Sequence, residues 1–183
     1  MIQKALTETP RQNCKPRRRT VYLVNESHIY MNTLLINPLS PPPDFNLALE
    51  VIDKYTGWGD ERLFAFENGT TVVICRLVVT ASSSEVAQIE LPVSSITWII
   101  DTIEQGFWGG KLDRRTHQAS ALFDEEEILI TRQQNAGTNI PGFSIKNLAR
   151  VDHEFTDMAQ VIQLCDPFLK ESLLPEVKRH FGY

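Results

Sequence analysis

The sequence predicts an α+β protein with antiparallel sheets in two successive units, each made of several strands followed by a helix. Three observations favour this class. β-branched and aromatic runs gather in two blocks, a stretch with apolar residues at helical spacing follows each block, and strands and helices do not alternate as βαβ repeats. At 183 residues the chain can bury one substantial core. We therefore expect a single domain at 21–183, with units of about 21–110 and 111–183.

The first unit opens with VYLV and IYMNTLLI, which are typical of strands, and LSPPPDF then imposes an extended surface connection. FNLALEVIDKY fits the strand and helix periods imperfectly, with strand slightly ahead. RLFAFENG and TTVVICRLVVT predict a hairpin closed at Asn68-Gly69, and VAQIELP predicts the next strand. Over 92–107 the apolar period becomes helical, behind serines able to cap the first turn.

The second unit repeats this plan. ALFDEEE, EEILITRQ and PGFSIKNL predict strands, the last two joined by a polar, glycine-containing loop. A helix is expected to begin at Thr156 or Asp157 and to stop or kink at Pro167, before LLPEVKRHF supplies a last helical piece. The apolar face of that helix consists of Met158, Val161, Ile162, Cys165, Phe168 and Leu169.

The order of these segments resembles that of single-strand nucleic-acid-binding proteins of the Whirly, PC4 and Pur kind. The part from 62 to 183 is most similar to the Whirly arrangement. IELPVSSITWIIDTIEQGF stands where that family has its first helix, and EEILITRQ, PGFSIKNL and DMAQVIQLCDPFLKESLLP follow in matching order. The resemblance implies binding to single-stranded DNA or RNA. The Lys-Gly-Lys-Ala-Ala-Leu motif of a Whirly strand has no counterpart here, so no functional residue is carried over.

The net charge of -5 conceals two regions of opposite sign. Six cations against Glu8 give residues 1–20 a balance of +5, so residues 21–183 carry -10. The first region lacks apolar periodicity and predicts a disordered basic arm. Its segment KPRRR, with Arg17, Arg18 and Arg19, can contact phosphates, serve as a nuclear address, dock on an acidic protein face, or simply be solvated.

The cysteines and the hydropathy of the sequence indicate where in the cell the protein is expected. Three cysteines without CxxC spacing indicate reduced thiols, and Cys75 and Cys165 lie among apolar residues as small core side chains. No apolar run is long enough to cross a bilayer, and the first residues lack the apolar region of a secretory signal. We expect an intracellular, cytoplasmic protein without a membrane partner, with a nuclear or organellar location left open.

Enzyme and metal chemistry find little support in the sequence. The four histidines are scattered, and His117 has no metal-ligand spacing to the acids at 124–127. Glu125, Glu126 and Glu127 precede an apolar strand, where like charges usually keep a sheet edge soluble. His153-Glu154 and Asp60-Glu61 can form acid/base pairs, but no nucleophile or phosphate loop accompanies them. We expect no catalytic residue, no metal and no cofactor.

Binding residues are sought where cations adjoin aromatic rings, because single strands need phosphate neutralisation and stacking surfaces. FWGGKLDRR is the best such stretch. The plainer alternative is that Phe107 and Trp108 anchor the helix end in the core while Lys111, Arg114 and Arg115 form a solvated loop. The strand-end cations Arg132 and Lys146 form a binding surface only if they face the same groove as Arg114 and Arg115. The candidates are Tyr55, Trp58, Arg62, Phe64, Phe66 and Arg76 in the first unit, and Trp108, Lys111, Arg114, Arg115, Arg132 and Lys146 in the second.

Two hypotheses follow. The first is a non-enzymatic, homo-oligomeric protein that binds single-stranded DNA or RNA through aromatic and basic residues of its sheet faces, assisted by the arm. The second is an acidic interaction or inhibitory module that covers a basic surface of a protein partner, as the -10 balance of residues 21–183 favours. The first ranks slightly ahead because a binding groove needs only a local positive potential.

Overall fold

The structure, a computed structural model, describes residues 32–55, 60–136 and 139–183. The arm predicted at 1–20 lies outside them. Two four-stranded antiparallel sheets, each followed by a helical segment, make up the described chain and confirm the predicted α+β class. The strands of each sheet are hydrogen-bonded in chain order, so every connection within a sheet joins neighbouring strands.

The first sheet confirms the predicted strands from residue 46 onward. It contains β1 (Asn46–Asp53), β2 (Asp60–Glu67), β3 (Thr71–Val79) and β4 (Ser84–Pro92). The ambiguous segment FNLALEVIDKY is a strand, as preferred. The β2–β3 hairpin turns at Asn68-Gly69, where Gly69 has a φ of +91° and the Asn68 side chain accepts the Thr71 amide at 3.0 Å.

The first helical segment buries the predicted apolar stripe. It consists of a 3₁₀ turn at Val93–Ser95, helix α1 at Ile96–Asp101 and a π-helical stretch at Thr102–Trp108. The buried isoleucines are Ile96, Ile99, Ile100 and Ile103. Serine capping was a wrong expectation, because the Ser95 hydroxyl donates back to the carbonyl of Pro92 at 2.7 Å.

The second sheet contains the predicted strands, except that ALFDEEE is a strand only as far as Phe123 and then turns at Asp124 and Glu125. The next helix begins later than expected. It contains β5 (Gln118–Phe123), β6 (Glu126–Gln133), β7 (Gly142–Val151) and β8 (Ala159–Cys165). A helical segment follows, made of α2 (Asp166–Phe168), a π-helical stretch (Leu169–Leu173) and α3 (Leu174–Phe181).

The helix predicted from Thr156 or Asp157 is wrong, because 159–165 forms strand β8. Gln160 is fully buried on the same face as Ile162 and Leu164, so the true period is two. A buried glutamine hides this period from a search for apolar residues. Pro167 lies in the first turn and begins the helix instead of stopping it, since its missing amide costs no hydrogen bond there.

The described part of IYMNTLLI, residues 32–36, is not a strand. It covers the outer face of the first sheet, where Ile36 and Phe45 pack with Phe64, Phe66 and other apolar side chains of β2 and β3. The Ile36 amide donates a hydrogen bond to the Gln88 side chain at 2.8 Å and not to the backbone of a neighbouring strand. A larger core cluster draws side chains from both sheets and both helical segments.

Candidate nucleic-acid interface

Trp108 lies at the end of the first π-helical stretch and is half-buried. Its ring meets the edge of Phe143 at a centroid distance of 5.8 Å, and its Nε1 donates to Asp166 at 3.3 Å. Lys170 Nζ lies 4.6 Å from the ring centroid on the solvent side of the second helical segment. Trp108 therefore anchors the helix end, as the plainer alternative held, and also presents part of its indole at the surface.

Arg132, at the end of β6, is held in place by its neighbours. It makes a bidentate ion pair with Asp166 at 2.6 and 2.7 Å, donates to the Gly142 carbonyl at 3.1 Å, and lies 4.6 Å above the Phe143 ring. This geometry holds the Asp166 carboxylate in position, and the same carboxylate accepts the hydrogen bond from Trp108 Nε1. Arg132 thus braces the surface, and its charge is largely balanced by Asp166.

An open recess of about 530 Å³ collects part of the predicted site. Its described lining includes Trp108, Arg114, His117, Arg132 and Gln134. Arg132 and Arg114 therefore face the same recess. Lys146 and Arg115 do not line it, so the condition set for a binding surface at the strand ends is met only in part. We call these five lining residues, with the loop at 111–115 and Lys170, the basic recess.

The loop of the basic recess projects its cations into solvent. Asp113 accepts the Arg115 amide on its side chain at 2.8 Å and the Thr116 amide on its carbonyl at 2.8 Å, which makes a tight turn. Arg114 and Arg115 are exposed on that turn, and exposed Lys111 lines an adjacent hollow. Five cations stand against two carboxylates, a local balance of +3. They are Lys111, Arg114, Arg115, Arg132 and Lys170, against Asp113 and Asp166.

Both helical neighbours of the recess are π-helical. Trp108 ends one such stretch and Lys170 lies in the other. The stretch that ends at Trp108 finishes in turns wider than those of an α-helix. The Gly109 amide donates to the Glu104 carbonyl at 2.7 Å, and the Leu112 amide donates to the Gly106 carbonyl at 3.0 Å. π-helical turns are uncommon and are often found at functional sites.

The other predicted binding residues lie elsewhere. Lys146 is half-buried on the outward face of β7, between Leu129 and Val161 of the neighbouring strands. Arg62 is exposed on β2 and pairs with Glu50 at 3.2 Å. Trp58, Arg17, Arg18 and Arg19 are outside the described residues.

The aromatic residues proposed for stacking on the first sheet are already engaged. Phe64 and Phe66 are buried beneath the 33–45 segment, and the Tyr55 hydroxyl is hydrogen-bonded to Glu171, which raises the pKa of Tyr55. Arg76 pairs with buried Glu61 at 2.6 Å. Stacking on the face of β2 is therefore not available to these rings. Trp108 and Phe107 are the aromatic residues that line the basic recess.

Sequence reasoning missed a buried polar network where β4 crosses the second sheet. Arg150 donates to Glu126 at 2.7 and 2.9 Å and to Glu90, which is fully buried. Hydrogen bonding to Glu126 raises the pKa of Arg150. Asn147 and Gln160 bind the backbone of β4, at the Glu90 carbonyl and amide, each at 2.8 Å. β4 is an edge strand, and the network provides hydrogen-bond partners for backbone groups of β4 that no neighbouring strand would pair.

The network corrects the interpretation of the acidic run at 125–127. Glu126 is buried and ion-paired, and its strand β6 is internal to the sheet. The chain turns just before it at Asp124 and Glu125, both with positive φ. His153 contacts buried Glu90 at 3.4 Å and the Gln88 side chain at 3.1 Å, so its partner is not the adjacent Glu154.

A second buried acid, Asp53, offers a stability prediction. One of its oxygens accepts the Tyr55 amide at 2.9 Å and the other has no hydrogen-bond partner among the described residues. Burial, chiefly, raises the pKa of Asp53. Because the folded-state pKa lies above the unfolded value near 4, this group's contribution to folding becomes less favourable as pH rises through that interval. Above it, the full penalty for burying the charge is present.

We therefore expect Asp53→Asn to raise the free energy of unfolding at pH 7 by about 1 kcal/mol. The gain should vanish at a pH below the unfolded value, where Asp53 is protonated in both states. Urea denaturation at the two pH values measures it, with exposed Asp44→Asn as the control for charge loss. A variant that is less stable than the wild type at pH 7 would contradict the prediction.

These features define an α+β protein of two antiparallel sheets with a basic, tryptophan-bearing recess at one end. Comparison of the chain with protein-family models, curated proteins and solved structures found no match. Within 32–55, 60–136 and 139–183, no three His, Cys, Asp or Glu side chains are grouped to hold a metal ion. None of the helices in those ranges has the length and apolar character needed to span a bilayer.

Proposed function

We propose that the protein binds nucleic acid, preferring single strands, at the basic recess. The observation that carries the proposal is the convergence of Trp108, Arg114 and Arg132 on one open recess, with Lys111 and Arg115 on the adjoining loop and Lys170 over the Trp108 ring. On a body that carries -10 outside the arm, such a patch supplies the local positive charge that attracts a phosphate backbone. The expected absence of catalysis and the resemblance to Whirly, PC4 and Pur proteins stay predictions.

Each group has a distinct role in this proposal. Arg114, Arg115 and Lys111 are exposed and neutralise phosphates, while a base packs against the surface part of the Trp108 indole. Lys170 rests over that ring and can turn toward a phosphate when a base replaces it. Arg132 acts as a positioning residue, because it holds Asp166 and thereby Trp108. A single strand fits better than a duplex, since stacking needs an unpaired base.

The test is a fluorescence-anisotropy titration of the full chain with labelled single-stranded and duplex oligonucleotides at low and moderate salt. We expect Arg114→Gln/Arg115→Gln to weaken single-strand binding about tenfold or more, with a shallower dependence on salt. Arg62→Gln/Arg179→Gln is the matched control, because it removes the same charge from exposed arginines outside the recess. Equal losses in both variants would attribute binding to overall charge and not to the recess.

The basic segment is tested separately by Arg17→Gln/Arg18→Gln/Arg19→Gln in the full chain. If binding is retained by this variant and lost by the Arg114/Arg115 variant, the recess is the principal site. If the wild-type chain binds neither oligonucleotide at low salt, the nucleic-acid proposal fails. The acidic partner-binding hypothesis would then take its place.

A further inference from the structure

A groove of about 570 Å³ lies at the other end of β7 and β8 from the basic recess. Its walls come from the start of β4, the start of β8, Leu35 and the 152–158 loop that joins β7 to β8. Apolar side chains provide most of its surface, and none of the proposed nucleic-acid contacts lies in it. The apolar lining consists of Leu35, Val86, Ala87, Phe155, Met158, Ala159 and Val161.

The 152–158 loop is folded by its own hydrogen bonds. The Asp152 side chain accepts the amides of Glu154 and Phe155, each at 2.9 Å. The Asp152 amide donates to the Met158 carbonyl at 2.7 Å, and the Met158 amide to the Phe155 carbonyl at 2.9 Å. His153 ties the base of the loop to Gln88. The loop conformation is therefore set before any partner arrives, which lowers the entropic cost of binding.

This loop leaves large apolar side chains in water. Phe155 and Met158 are 53% and 52% exposed, and Leu35 opposite them is 51% exposed. Single exposed apolar residues are ordinary, but several around one groove mark an interaction surface. Methionine and phenylalanine together suit the binding of another protein's apolar side chains, because the flexible thioether adapts to varied shapes.

The carboxylates at the groove come from the 152–158 loop. Asp152 and Glu154 line it, and Asp157 is exposed in the same loop. Neither lysine nor arginine occurs among the described residues that line the groove. An apolar segment with acidic flanks would be repelled here, whereas one with basic flanks is attracted. The acidic charge of the loop and the apolar lining of the groove therefore both favour a segment that is apolar and has basic flanks.

We infer that this groove binds a partner-protein segment in which bulky aliphatic or aromatic side chains are flanked by lysine or arginine. The apolar side chains enter between Leu35, Phe155 and Met158, and the cations pair with Glu154 and Asp157 at the rim. The inference is independent of the proposed nucleic-acid function, because the two surfaces lie at opposite ends of β7 and β8. Both can operate on one molecule.

The probe is a short labelled peptide with Leu-Leu-Phe flanked on both sides by Lys-Arg pairs, titrated against the full chain by anisotropy. We expect saturable binding that Phe155→Ser/Met158→Ser weakens about tenfold or more, because buried apolar area is lost. Glu154→Gln/Asp157→Asn should weaken it about threefold, mainly at low salt. A peptide with serine in place of Leu-Leu-Phe, at unchanged charge, should not bind saturably.

Leu122→Ser/Glu127→Gln is the matched control, since it removes an exposed apolar and an exposed acidic residue from paired positions of β5 and β6. It should bind the peptide as the wild type does. Failure of the wild type to bind, or equal binding by the wild type and the Phe155/Met158 variant, would overturn the inference. So would a wild-type dimer in sedimentation that this variant makes monomeric, because a second copy would then occupy the groove. Oligonucleotide binding should be unchanged by the groove variants.

Discussion

Replacing Arg150 with methionine is expected to lower the free energy of unfolding by about 3–5 kcal/mol at pH 7. Arg150 is the cation between two buried carboxylates, Glu90 and Glu126. Methionine approximates the length of its aliphatic stem but leaves both carboxylates without this charge in a low-dielectric surrounding. Thermal and urea denaturation measure the loss, and about 3 kcal/mol is a large share of the stability of a domain this size.

A combined variant gives the Arg150 prediction a second, independent readout. The combined variant Glu90→Gln/Glu126→Gln/Arg150→Met removes the buried charges together. It should recover much of the stability, because neutral side chains need no compensating cation.

Exposed Arg62→Met serves as the control and should change stability by less than about 1 kcal/mol, since its pair with Glu50 is exposed to solvent. If Arg150→Met were as mild as Arg62→Met, the network would not hold the sheets together. The junction between β4 and the second sheet would then depend on its apolar contacts alone.

The parts of the fold that the sequence predicted have local causes. Asn68-Gly69 supplies the turn between β2 and β3, and the isoleucines of α1 recur with the helical period. β8 was missed because Gln160 occupies a core-facing position through hydrogen bonds to Glu90, a residue 70 positions away. No local pattern can show that a glutamine is satisfied across such a separation.

The candidate site was predictable in its cations but not in their arrangement. FWGGKLDRR and the strand-end Arg132 stood out because aromatic and basic residues adjoin. That Arg132 is paired with Asp166, 34 positions later, depends on how β6 meets the second helical segment. The same holds for Lys170 over Trp108 and for the contact of Arg150 with Glu90. Long-range pairing decides which charges are neutralised and which remain exposed.

Gly142→Ala is expected to lower the free energy of unfolding by about 3 kcal/mol or more. Gly142 is the first residue of β7, paired with Gln133 of β6 on one side and Cys165 of β8 on the other. An added Cβ would overlap the Leu164 carbonyl oxygen and lie 2.7 Å from both the Ala136 Cβ and the Cys165 Cα. Two of these obstacles are backbone atoms of β8, so relief requires the strands to separate.

That separation should also reach the basic recess. The Gly142 carbonyl accepts a hydrogen bond from Arg132. Arg132 is ion-paired with Asp166, and Asp166 accepts a hydrogen bond from Trp108. We therefore expect Gly142→Ala to weaken single-strand binding at a temperature where the variant is still folded, although it removes no charge. Gly182→Ala is the control: with a φ of +72°, open space around it and a position outside the basic recess, it should cost about 1 kcal/mol from backbone strain alone. A Gly142→Ala variant more stable than Gly182→Ala would mean that β7 and β8 do not approach as closely as described.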